Sequence, residues 1–122
     1  MLYKTLLLAV LFLLPFAIRA QSKDEWIASL HYCESQDRDY ITILDTNNKY
    51  SYGGLQFQFD TFYNFGKQYN ILPDELTRKE ALLLIHNPFI QKAIAREMLD
   101  DGLWRNWKNC TLKIGAYPLE ET

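Results

Sequence analysis

Cysteine and histidine are scarce: Cys33, Cys110, His31 and His86 are all that the chain holds. Their spacing matches no usual zinc arrangement, so neither a metal nor a cofactor is expected. Basic charge is also short. With residues 1–20 set aside, 11 Lys and Arg face 15 Asp and Glu, a formal −4. Such a domain is a poor partner for nucleic acid, whose affinity comes chiefly from cations that displace counterions. The chain has no internal repeat, no low-complexity run and no Pro-, Gly- or Ser-rich linker. That leaves roughly one hundred residues beyond the leader, enough for one domain and not for two. The apolar stretch within residues 5–18 falls short of the ~20 residues that a membrane span needs.

What stands at the start is a leader. Lys4 lies in a short basic opening, an apolar run follows to Ile18, and Ala20 precedes Gln21 as a small residue at the cut. This predicts a signal peptide over residues 1–20, with an uncleaved anchor as the lesser alternative. The protein is then secreted or cell-wall associated, without a stable hold on the membrane once the leader is removed. In that oxidising compartment two cysteines have one intramolecular pairing, Cys33–Cys110.

Ser22 followed by Glu25 forms a capping box, and Trp26, Ile27, Leu30 and Cys33 share one face of the helix it opens, which ends near Glu34. Residues 36–52 break the helical period. Tyr40-Ile41-Thr42-Ile43 favours extended chain and Asp45-Thr46-Asn47-Asn48 a turn, so a short β-hairpin or an irregular loop is expected. Gly53-Gly54 allows a sharp turn or the close approach of a ligand, and helix resumes near Phe59 or Asp60, capped by Gln58 or Asp60. Asp74 or Thr77 caps a helix through Ala81 to Ile85. Asn87-Pro88 opens another over 88–101, with Phe89, Ile90, Ala93, Ile94 and Met98 inward and Gly102 as its stop. Leu103 to Cys110 reads as a last helical turn, and residues 113–122 as a short tail behind a domain of residues 21–112. The expected class is α+β, mainly α.

Glu34 is the residue with chemical interest. The helix macrodipole is negative at its C-terminal end and disfavours a carboxylate there. Neighbouring apolar surface raises the pKa further, which is the condition for an acid that keeps its proton near neutrality. On position alone, a solvated residue at a frayed helix end is the simpler reading, so the surrounding pattern has to decide. His31, one turn earlier, reads as a partly exposed helix histidine, and Asp37 and Asp39 as solvated loop charges.

That pattern is Cys33-Glu34-Ser35, then Tyr52-Gly53-Gly54-Leu55-Gln56-Phe57, then Thr61-Phe62, and last Gly102 to Cys110 with Trp104 and Trp107. In order and rough spacing the chain resembles the catalytic domain of resuscitation-promoting factors, small secreted relatives of lytic transglycosylases and goose-type lysozymes. The matches span about residues 26–110. The chain departs from the pattern at Ser51, where the family has an aromatic, and at Leu103, inserted before Trp104, which leaves the preceding groove position open between Asp101 and Gly102.

The resemblance implies a lysozyme-like fold with a hairpin or loop beside a cleft, Glu34 as the single catalytic acid, and Cys33–Cys110 as the family disulfide. It places Thr61 in a sugar groove and Gln56 at the cleft border, and Tyr52 and Gly53 join them as expected substrate contacts. If a second carboxylate takes part, Asp45 is the best placed, although its plainer role is turn former beside Asn47-Asn48. Among the aromatics, Trp26, Phe57, Phe62, Trp104 and Trp107 are expected in the core, and Tyr52 and Tyr50 as exposed contacts. The activity implied is cleavage of the MurNAc–GlcNAc bond of bacterial peptidoglycan by a monomer acting on glycan strands. A peptidoglycan-binding or signalling module of the same fold, without catalysis, is the alternative.

Overall fold

The computed structural model describes residues 21–120, so the leader read over residues 1–20 lies outside the described residues. The described residues form five α-helices and a small antiparallel sheet: α1 (Lys23–Ser35), β1 (Thr42–Leu44), β2 (Tyr50–Tyr52), β3 (Phe57–Gln58), α2 (Phe59–Gln68), α3 (Arg78–Leu84), α4 (Pro88–Asp100), a 3-10 turn (Trp104–Trp107) and α5 (Lys108–Ile114). It is an α+β domain closed by the disulfide Cys33–Cys110. None of the described helices is long and apolar enough to cross a membrane.

The capping signals act as expected at three helices. Ser22 Oγ accepts from Glu25 N–H at 3.1 Å and the Glu25 carboxylate accepts from Ser22 N–H, which fixes the start of α1. Thr77 and Glu80 repeat the device at α3. At α4 the Asn87 side chain accepts from the N–H groups of Phe89 and Ile90, with Pro88 in the first turn. The start of α2 differs. Neither Gln58 nor Asp60 caps it, because Gln58 turns its amide to the hairpin and Asp60 pairs with Arg78 at 2.6 Å.

Residues 42–52 form the hairpin, with Ile43 opposite Ser51, and β3, which the sequence pattern did not predict, adds a third strand by pairing Ser51 with Gln58 and Tyr52 with Phe57. The core lies between α1, α2, α4 and the stretch from Leu55 to Phe57. Trp26, Leu30, Leu55, Phe62, Ile94 and Met98 are fully enclosed, and Phe57 packs edge-on against both Phe62 and Trp107. Trp104 is only partly buried against this cluster.

In α4 the inward face is rotated from the expected one. Phe89 is 82 % exposed and Ala93 is also on the outside. The buried stripe is Gln91, Ile94, Ala95, Met98 and Leu99, which follows helical spacing only if polar Gln91 is counted as core. Past Cys110, α5 continues to Ile114, and Tyr117, within the stretch read as a tail, packs edge-on against Trp26 at 5.2 Å and donates its hydroxyl to Asp100. Trp26 Nε1 also donates to the Gly115 carbonyl at 3.0 Å. The packed unit therefore runs beyond residue 112.

The disulfide joins residues 77 apart in sequence. On the chain-entropy argument its removal, as Cys110→Ala or by reduction, should lower the unfolding free energy by about 4 kcal/mol. Denaturant titration with and without reductant measures this directly.

Candidate active site

Glu34 is the last residue but one of α1, and the chain around it is firmly tied. Gln36 turns into the left-handed conformation (φ +56°) and returns its N–H to Tyr32 O at 2.7 Å. Ser35 is buried, with its hydroxyl donating to His31 O, and Arg38 Nε donates to the Ser35 carbonyl at 2.8 Å. Cys33 anchors the same turn to α5. The helix end that carries the acid is therefore fixed and does not fray.

The Glu34 side chain lines a groove of about 640 Å³ between this helix end, the hairpin and residues 105–110. Gln56, Thr61 and Asp45 line the same groove. Burial, and after it the negative charge of Asp45, push the Glu34 carboxyl from its usual 4.5 up to about 7, against an opposing pull from Lys113. The direction and the part played by burial agree with the sequence reading; the hairpin carboxylate is a cause that the sequence pattern does not reveal.

Asp45 forms the hairpin turn and also lines the groove with its side chain. Its main-chain N–H closes the hairpin turn onto Lys49 O at 2.9 Å, and Asn48 N–H donates back to Asp45 O. Its side-chain Oδ2 accepts from Ser51 Oγ and from Gln58 Nε2. Gln58 in turn exchanges amide hydrogen bonds with Asn47 at 3.2 Å. Ser51 is thus a buried hydroxyl that fixes the Asp45 carboxylate, and an aromatic ring there would leave Asp45 without this donor.

Tyr52 and Gly53 are not among the groove-lining residues. Tyr52 packs edge-on against His86 at 5.7 Å and borders a separate cavity of about 340 Å³ together with Tyr50. Gln58 and Thr61 line both cavities. Gly53 is buried with φ +75°, and a Cβ on it would stand 2.5 Å from Gln91 Nε2. A Cβ on Gly54 would stand 2.1 Å from His31 Nε2. The paired glycines serve the approach of protein to protein, not of a ligand.

His31, expected partly exposed, is buried. Its ring lies between Asp37 and Asp39, with Nδ1 and Nε2 each 2.6 Å from a carboxylate oxygen. Asp37 and Asp39 are therefore not free loop charges: the left-handed pair Gln36 and Asp37 folds the chain back over the ring that α1 turns inward. Gly54→Ala drives a methyl into this cluster and should destabilise the domain by about 2–3 kcal/mol, the upper part of the overpacking range. A thermal melt of the variant tests it, and an unchanged midpoint would count against the packing described.

Two further positioning groups carry no motif. Gln91 is fully buried in α4; its Nε2 donates to Tyr52 O (2.8 Å) and Ile85 O (2.6 Å), and its Oε1 accepts from Leu55 N–H (2.9 Å). Trp107 Nε1 donates to Leu55 O at 2.8 Å. Both polar groups of Leu55 are thus held by side chains, which sets Gln56 beside the groove. Gln56 itself sits at φ +54° with its amide donating to Gly53 O. Left-handed backbone at a residue other than glycine costs energy and is found disproportionately at functional loops.

Compared with protein-family models, curated proteins and solved structures, the chain matches none, so the functional reading rests on this groove and its two carboxyls.

Proposed function

We propose that this protein is a secreted peptidoglycan-cleaving glycosidase of the lysozyme-like kind, a lytic transglycosylase or muramidase acting on the MurNAc–GlcNAc bond. The observation that carries the reading is a carboxyl, Glu34, pushed up to about 7 on the wall of an open groove, with a second carboxylate, Asp45, lining the same groove. Glycosidic cleavage needs a proton delivered to the bridging oxygen as positive charge develops on the sugar. A carboxyl that titrates near 7 is half protonated there, and its proton is well matched to that transfer.

In this scheme Glu34 protonates the leaving oxygen as the glycosidic bond breaks. The muramic acetamido group assists, and the sugar's own hydroxyl then closes an anhydro ring, returning its proton to Glu34. Asp45 keeps Glu34 protonated and its negative charge faces the developing cation. If water attacks in place of the sugar hydroxyl, Asp45 is the carboxylate in position to assist it, and the product has a reducing end.

The test is incubation with purified peptidoglycan and mass analysis of the released fragments. Anhydro ends identify transglycosylation and reducing ends hydrolysis; absence of any glycan cleavage overturns the proposal. A pH series adds a second reading. The rate should fall above about pH 7 as Glu34 loses its proton. Asp45→Asn removes the second cause of the raised pKa and should move that limb to lower pH.

A further inference from the structure

The groove has a wall that the reaction does not use. Arg105 and Lys108 line it together with Asn106 and Asn109, all within the stretch from the 3-10 turn into the first residues of α5. Both cations are exposed, and neither makes an ion pair with another described residue. Arg105 lies over the Trp104 ring at 5.3 Å, which gives the guanidinium a backing surface. The cation that pulls the Glu34 pKa down is Lys113, which is neither of these two.

This placement is notable in a domain whose formal charge beyond the leader is −4. Arg78 and Lys23, by contrast, are paired with Asp60 and Asp100. A neutral polymer offers no partner to two unpaired cations along a sugar groove. We infer that Arg105 and Lys108 form a carboxylate-recognising wall, and that the chain selects glycan strands bearing free carboxylates over neutral amino-sugar polymers. The inference rests on the glycan-cleaving reading and adds the substrate's charge to it. The carboxylate has two sources, the lactyl group of a stem-free muramic acid or the peptide stem attached to it.

The experiment is binding and not turnover, so it reads the wall even where cleavage fails. Soluble glycan strands are titrated by calorimetry into the Glu34→Gln protein, which leaves them intact. Four ligands are used: strands with peptide stems, strands stripped of stems, strands with carboxyls converted to amides, and chitooligosaccharides. Carboxylate-bearing strands should bind about five- to tenfold more tightly than amidated strands, as two exposed charge pairs supply, and the preference should shrink with added salt. Arg105→Gln combined with Lys108→Gln should bring the ratio of the two dissociation constants close to one. Retention of tight binding by stripped strands identifies the lactyl carboxylate, and its loss identifies the stem. Equal affinity for carboxylate-bearing and amidated strands, or a preference that survives in the double variant, overturns the inference. Failure of the cleavage reading shows separately, as absence of fragments from the unaltered enzyme.

Discussion

Glu34→Gln is expected to reduce peptidoglycan cleavage by about 10³-fold, within the range lost when a general acid is removed, while making the folded protein more stable at alkaline pH. The two effects share one cause. Glu34 titrates near 7 in the folded chain against 4.5 ordinarily, so between those values the folded state holds a proton that the unfolded state has released. Stability therefore falls as pH rises through that window, and the loss is complete above about 7. Glutamine carries no charge to bury. The variant should exceed the parent by about 1–2 kcal/mol at pH 8, after allowing for solvent screening of a partly exposed group, and should equal it near pH 4. Lower activity with higher stability marks a residue retained for chemistry. A loss of both would assign Glu34 to the scaffold.

Gln91→Leu is expected to be among the most damaging single changes to stability. The leucine fits the volume, but it leaves Tyr52 O, Ile85 O and Leu55 N–H without the partner that Gln91 supplies. Three buried main-chain groups at about 1–3 kcal/mol each, partly relieved by relaxation, give a loss of about 4–6 kcal/mol. Chemical denaturation measures it. Because the same amide holds the loop that sets Gln56, a Gln91→Glu protein that still folds should lose cleavage as well, whereas an effect below about 1 kcal/mol for Gln91→Leu would remove this residue from the account.

Where local chemistry decides, the sequence was readable. The caps at Ser22, Thr77 and Asn87 satisfy helix-end donors within a few residues, and the turn at Asp45 to Asn48 does the same for the hairpin. Leucine and tryptophan positions in α1 follow from period alone. Legibility ended where one polar side chain meets backbone far away in sequence. Gln91 reaches Tyr52 across 39 positions, and nothing near it marks it as buried except that it falls in step with Ile94 and Met98. His31 was misread because the two residues that fold Asp37 and Asp39 over it, Gln36 and Asp37, are not glycines, and left-handed backbone there carries no compositional signal.

The candidate site divides in the same way. Glu34, Gln56, Thr61 and Asp45 line one groove. Tyr52 and Gly53 belong to the same motif but serve packing, because their main chain is consumed by β2 and by the contact with Gln91. Arg105 and Lys108 are hidden in a net charge that is negative; only folding brings these cations into the groove that holds the acid.

Titration of the Glu34 side chain by carboxyl ¹³C NMR tests the central claim most directly. A midpoint close to 7 is predicted, falling in Asp45→Asn; a midpoint at the ordinary 4.5 would mean that this carboxyl is a solvated anion at neutral pH and no acid for a glycosidic oxygen.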